Sequence, residues 1–293
     1  LFQFLAEFAK PRQYIVEVQH NNFYGRPDSH NDIDPDETMK FIKGLELQSR
    51  GKSIEIRDYQ FDAVCEGLHK KRGILVSPTG SGKSVIIYTL AQKYLMSYRR
   101  GEQKVLIVVP TTSLVEQMYN DFADYGMPVE DCVHRIYSGR DKDTNKEIVV
   151  STWQSIYKLP AGWFEQFGAV FGDECHGFKS KSLTTIMDKC KEAEYRWGTT
   201  GTLDGSQTHE LVLQGLFGKI YNVTTTKKLQ DEDTLAKLKI NVLLLKYPEA
   251  VRREWGKKDY QTELDFIVKH EARNKLIRNL ALDQSGNTLV LFN

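Results

Sequence analysis

Two short stretches of this sequence carry residue types that can do chemistry together. The first is Ser77-Pro78-Thr79-Gly80-Ser81-Gly82-Lys83-Ser84. Gly80 and Gly82 let the backbone curl, with Thr79 and Ser81 in the same loop, so that successive N–H groups point inward at phosphate oxygens. The Lys83 ammonium would reach the β- and γ-phosphates of a nucleoside triphosphate, and the Ser84 hydroxyl is of the type that ligates Mg2+. The usual first glycine of such a loop is replaced by Ser77, small enough to keep the tight turn. The second stretch is Asp173-Glu174-Cys175-His176, which follows the apolar run Ala169-Val170-Phe171-Gly172. Asp173 would hold Mg2+ through water, and Glu174 would orient or deprotonate an attacking water. A cation makes two adjacent carboxylates tolerable. The plainer readings are a chance Gly-Lys-Ser, a polar strand end, and a Cys-His metal pair, the last lacking a matching second pair of ligands.

The elements around both stretches suit that chemistry. Gly73-Ile74-Leu75-Val76 reads as a buried strand and Val85 to Tyr98 as a helix, so the loop lies between a strand end and a helix N-terminus, where partial positive charge gathers. A helix is expected over 58–70 and another over 112–124 after the strand Val105–Val109. Further strands are expected at 133–137, 147–151, 168–172 and 195–199. Further helices are expected near 152–158, 161–167, 180–191 and 209–216. Buried strands alternating with amphipathic helices predict an α/β fold, a parallel sheet covered on both faces, with ligands at the carboxyl ends of its strands.

The ends differ from this middle. Tyr14–Val18 reads as a strand, Asn21–Asp34 as a loop, and Pro35–Leu47 as a helix with Asp34 as N-cap. Lys239–Tyr247 reads as an edge strand, 258–283 as a long charged helix, and Thr288–Asn293 as a strand. The chain lacks an initiator Met and stops on that strand, which predicts a piece of a longer polypeptide. The division expected is a small α+β N-terminal element over 1–50, the sheet domain over 51–245, and a linker helix with a first strand of another domain over 246–293.

Bulk composition excludes several classes. The formal net charge is +1, so any nucleic-acid affinity must come from a local basic surface. Such clusters occur at His69–Arg72, Arg99-Arg100 and Lys179–Lys181, although most such runs are solvated faces. No apolar run approaches the ~18 residues of a membrane span, and Leu1–Phe8 lacks the flanks of a signal peptide. The four cysteines show no zinc-like spacing and predict free thiols in a reducing, cytoplasmic compartment.

The order of motifs resembles the superfamily 2 (DExH-type) helicases and translocases. Asp173-Glu174-Cys175-His176 after the phosphate loop is their signature. Arg57-Asp58-Tyr59-Gln60 resembles the adenine-sensing Q element, in which Arg57 and Gln60 would flank the base. Pro110–Gln117 resembles motif Ia, Ser151–Ser155 the later strand-binding motif, and Thr200-Gly201-Thr202 motif III. The Tyr-Gln before the loop, Trp163–Gly168, Leu216-Phe217-Gly218, Val223–Thr226, Leu238–Asn241 and Arg273-Asn274-Lys275 are similar to the phage UvsW-type branch of that family over almost the whole chain.

The resemblance implies a RecA-like fold, ATP and Mg2+ as cofactors, and ATP-driven remodelling of branched DNA, single- or double-stranded, including RNA in hybrids. It implies DNA-backbone contacts from Thr111, Thr112, Ser151 and Thr152. These hydroxyls equally suit helix capping. It implies catalytic roles for Lys83, Asp173, Glu174 and His176, and coupling to DNA through Thr200, Gly201 and Thr202. A second RecA-like domain in cis would supply arginine fingers, so this chain alone is expected to turn over little ATP. The alternatives are a restriction-type motor subunit and an ATP-gated DNA-binding module without turnover.

Overall fold

The computed structural model describes residues 2–17, 32–97, 103–179, 181–203, 205–236 and 240–291, and it divides into two compact units, Leu1–Lys237 and Leu238–Asn293. The first unit begins with α1 (Phe2–Ala9), α2 (Pro35–Gly44) and a two-stranded antiparallel ribbon, β1 (Gln48–Ser49) with β2 (Lys52–Ser53). It continues with α3 (Asp58–Lys70), β3 (Arg72–Val76), α4 (Lys83–Ser97), β4 (Lys104–Val109), α5 (Thr112–Asp124), α6 (Val129–Cys132), β5 (Val133–Ile136) and β6 (Ile148–Thr152). Then come α7 (Trp153–Ile156), α8 (Ala161–Phe164), β7 (Phe167–Asp173), α9 (Lys181–Lys189), β8 (Tyr195–Thr200), α10 (Gln207–Leu216), β9 (Ile220–Asn222) and α11 (Thr226–Asp231). The second unit holds α12 (Glu249–Trp255), α13 (Tyr260–Lys269) and α14 (Glu271–Leu282).

Among the described residues, β3 to β9 form one sheet in the order β5-β6-β4-β7-β8-β3-β9, with every pairing parallel. The two-residue period of the strands sorts their side chains between two cores. Val105, Ile107, Val109, Val150 and Phe171 face the layer of α3, α4 and α5. Leu106, Val108, Val149 and Val170 face the layer of α7 to α10. This is the expected sheet wrapped on both faces. Its order matters for the site, because β8 lies between β3, which ends at the phosphate loop, and β7, which ends at Asp173.

Several expected elements differ. Tyr14–Glu17 form no strand, and neither do 240–247 or 287–291; no neighbouring strand pairs with them among the described residues, and an unpaired extended segment leaves its backbone groups to water. The helix from Pro35 ends at Gly44, capped by Asp34, which accepts from the N–H of Asp36 and of Glu37. The long helix over 258–283 is two helices. His270 is extended at the break (φ −68°, ψ 104°), and its Nδ1 accepts from the Arg273 N–H as N-cap of α14. In the second unit Trp255 stacks on Phe266 at 4.2 Å, and Tyr247 meets Phe266 and His270. Most of the Asn21–Asp34 loop, Val18, Arg99-Arg100 and the Lys179 side chain lie outside what is described. Among the described residues, no helix is long and apolar enough to cross a membrane.

Candidate functional site

The loop 77–84 is shaped by a small number of bonds. Gly80 and Gly82 have φ of +83° and +81°, the left-handed region that a side chain resists. Ser77 has no such φ, so this first position does not need glycine. Instead its buried hydroxyl donates to Ser81 Oγ at 2.6 Å and closes the turn. Its backbone N–H donates to Thr200 O at 2.9 Å, which fastens the loop to the end of β8.

The segment 57–60 braces the same loop from the α3 side. Gln60 Nε2 and the Tyr59 hydroxyl both donate to Ser81 O, at 2.8 and 2.9 Å. Gln60 Oε1 accepts from the Arg57 N–H at 3.0 Å, and Arg57 Nη1 donates to the Tyr59 hydroxyl. Gln60 is therefore a buried strut under the loop, with one amide N–H and the amide oxygen bonded within the protein. Arg57 is exposed.

The second stretch meets the loop at the end of β7. Lys83 Nζ lies 3.3 Å from Glu174 Oε1, with the side chains only 12% and 30% exposed. Glu174 has φ +49°, an uncommon conformation for a side-chain-bearing residue. Asp173 is buried and accepts from the Thr199 hydroxyl at 2.7 Å. Burial pushes its carboxyl above the ordinary range, against the Thr199 bond and the Lys83 charge.

From Glu174 the polar contacts run on to the end of β8. His176 Nδ1 lies 3.4 Å from Glu174 Oε2 and 3.0 Å from Thr200 Oγ1. The single hydroxyl proton of Thr200 goes to Thr202 O at 2.9 Å. His176 must then carry its own proton on Nδ1 and donate it. The Thr202 N–H also points to Thr200 Oγ1, at 3.4 Å. Gly201 sits beside this strip, where an added Cβ would come 3.6 Å from both Lys83 Nζ and Thr79 Oγ1.

The expected nucleic-acid contacts divide. Thr111 and Thr112 are exposed at the start of α5, and Thr111 also caps that helix by accepting from the Leu114 N–H. Ser151 and Thr152 are corrected. Ser151 is fully buried and donates to Ile136 O or Thr152 O, and Thr152 is 5% exposed and bonded to Ser155 Oγ. Neither hydroxyl is offered to a strand: β6 is enclosed between β4 and β5 at Ser151, and Thr152 pairs with β4 and bonds Ser155. Trp153 packs against Tyr157.

Some residues of the site carry no signal in the sequence. Tyr125 bonds Ser84 Oγ at 2.8 Å, and burial pushes its phenol up to about 12. Burial raises the Asp121 carboxyl, against the opposing influence of the Ser84 and Gln117 side chains. Leu235 lies over Gly80. Thr199 alone was within reach, one position before the Thr-Gly-Thr.

A parallel sheet carrying a phosphate-type loop on β3 and paired carboxylates on β7 defines a P-loop domain of the RecA-like kind. Residues 53–205 match the family described as type III restriction enzyme, res subunit. Over 260 residues the chain is 38% identical to the ATP-dependent DNA helicase uvsW of Enterobacteria phage T4, covering 86% of this chain and 51% of that protein. It is 30% identical over 193 residues to the DNA 3'-5' translocase XPB2 of Sulfurisphaera tokodaii, covering 65% and 40%. A crystal structure of T4 UvsW matches with a TM-score of 0.66 at 33% identity, over 95% of this chain and 54% of that one. The chain spans about half the length, or less, of the curated relatives it matches. It belongs to the type III restriction enzyme res-subunit family.

Proposed function

We propose that this chain is the nucleotide-binding motor part of an ATP-dependent DNA helicase or translocase that acts on branched DNA and on RNA in hybrids. The observation that carries the reading is the unbroken polar strip from Lys83 through Glu174 and His176 to Thr200 and Thr202. Such a strip lets a change at the phosphates be felt at the end of β8.

The loop Thr79–Gly82 would present backbone N–H groups to the phosphates of ATP, with Lys83 as their counter-charge. Lys83 has to leave Glu174 for a phosphate oxygen, which frees that carboxylate to orient a water. His176, released from Glu174, would keep its bond to Thr200 and transmit the change.

The residues fit Mg2+. Asp173 has one oxygen taken by Thr199 and its charge opposed by burial, and Ser84 contributes a hydroxyl oxygen. When bound, the cation would neutralise phosphate charge. Thr111 and Thr112 are the hydroxyls available to a DNA backbone, which they would position without reading sequence. The four free thiols fit a reducing compartment such as the cytoplasm. The division into 1–50, 51–245 and 246–293, with a second RecA-like domain in cis, belongs to the same reading.

The test is phosphate release with no nucleic acid, then with single strands, duplex, forked DNA and RNA–DNA hybrid. It needs the chain joined to a second RecA-like domain, with Lys83→Ala as control. Strong stimulation by forked DNA, lost in the control, is the expected result. Equal stimulation by every polymer would leave a translocase without branch preference, the restriction-type motor that the family description favours. No stimulation by any polymer would contradict the motor reading.

A further inference from the structure

Ser84 is tied to a helix outside both motifs. Its Oγ lies 2.8 Å from the Tyr125 phenol oxygen. A hydroxyl has one proton and two lone pairs. With the phenol donating to Ser84, one lone pair of Ser84 remains.

Tyr125 is itself held. Tyr125 is 9% exposed, and its ring meets Tyr88 edge-on at 5.3 Å, while Tyr88 meets Phe122 at 5.2 Å. Its backbone N–H closes the end of α5 on Asp121 O and Ala123 O. The preceding Asp124 accepts from the Ser49 hydroxyl at 3.0 Å and the Arg50 N–H at 2.6 Å. The C-terminal end of α5 is thus fixed to the ribbon on one side and to the phosphate loop on the other. Its N-terminal end carries the exposed Thr111 and Thr112.

We infer that Tyr125 is a positioning residue, which holds the Ser84 hydroxyl so that its remaining lone pair serves a divalent cation bound with the nucleotide. The inference rests on the reading of Ser84 as a cation ligand given above. It makes α5 a second connection between the nucleotide and the DNA face, separate from the strip through His176 and Thr200.

The test is equilibrium binding of a fluorescent, non-hydrolysable ATP analogue to the full chain, titrated with Mg2+ and repeated in EDTA. The variants are Tyr125→Phe, Ser84→Ala, Lys83→Ala, and Tyr125→Phe combined with Ser84→Ala. Tyr125→Phe is expected to raise the Mg2+ concentration for half-maximal binding about tenfold, within the range seen when partners of metal ligands are removed. Binding in EDTA should not change, and Tyr125→Phe should add nothing once Ser84 is alanine.

Equal losses in EDTA and in Mg2+, or the same loss on both backgrounds, would mean that the Tyr125 hydroxyl supports the fold and not the cation ligand, and would overturn the inference. A shift in Ser84→Ala without one in Tyr125→Phe would overturn it too. If Ser84→Ala and Lys83→Ala both bind the analogue as the wild type does, the nucleotide-site reading itself fails, an outcome distinct from the others.

Discussion

Thr200 spends its whole hydrogen-bonding capacity on the strip. It accepts from His176 and the Thr202 N–H, and it donates to Thr202 O. Thr200→Val keeps the shape and removes the bonds. Because nothing at the phosphate loop loses a side chain, nucleotide affinity should stay within about twofold, while DNA stimulation of phosphate release falls about tenfold, the size of a typical coupling between sites. Measuring both on the same variant checks this. The cysteines give a pH-dependent test. Burial raises all four thiols, Cys190 to about 12 and Cys175 beyond any working range, with the Asp173 and Glu174 charges adding to the latter. Only the ionised thiol is alkylated, so a raised pKa moves reactivity to higher pH. Near pH ~8.5, where a free thiol is half ionised, iodoacetamide should label Cys65 and Cys132 slowly, and Cys175 and Cys190 only after unfolding. Peptide mapping reads the order. At this scale the sequence showed which residues would meet, because glycine spacing and paired carboxylates are local signals. It could not show that Gln60 faces inward or that Ser84 meets Tyr125, because those contacts depend on how α3 and α5 pack on α4.

β8 shows what an element can conceal. Its residues are all buried, and one of them is an arginine. Arg196 is fully enclosed and donates to Ala193 O at 3.2 Å and Met187 O at 3.1 Å, with a further bond to Cys190 O. These carbonyls lie in the last turn of α9 and in the segment just beyond it, and a guanidinium has enough donors to reach all of them. The strand that carries Thr199 and Thr200 is thereby locked to the helix behind it. Arg196→Met would remove three charge-assisted bonds from this buried end of α9. It should lower stability by about 3 kcal/mol or more, read as a lower urea midpoint at unchanged slope. Periodicity made this strand legible, but it gave no reason for a charge there, since the partners lie on a helix end set by tertiary packing. Ser151 and Thr152 teach the converse. Their type and place suited a phosphate contact, and the pairing of β6 with its neighbours, together with the Thr152–Ser155 bond, closed them off.

At the scale of the whole molecule, the alternation of strands and helices was enough to predict the wrapped parallel sheet, because a parallel sheet must be buried on both faces. The extended segments near the ends were misread, since a strand exists only with a neighbour and a single sequence does not say which segment that is. The second unit also shows apolar side chains exposed along 240–245 and 289–291. The central claim concerns the first unit, where one set of residues would both hold and hydrolyse ATP with its cation. The most direct measurement is calorimetric titration of the chain with ATP and Mg2+, on the wild type, Lys83→Ala and Glu174→Gln. Lys83 is placed to carry phosphate binding, and Glu174 to act only on water. The account predicts that Glu174→Gln binds at least as tightly as the wild type, since it removes the carboxylate now paired with Lys83, and that Lys83→Ala loses at least about tenfold, the loss of one charge-assisted contact. Binding by Lys83→Ala equal to that of the wild type would contradict it.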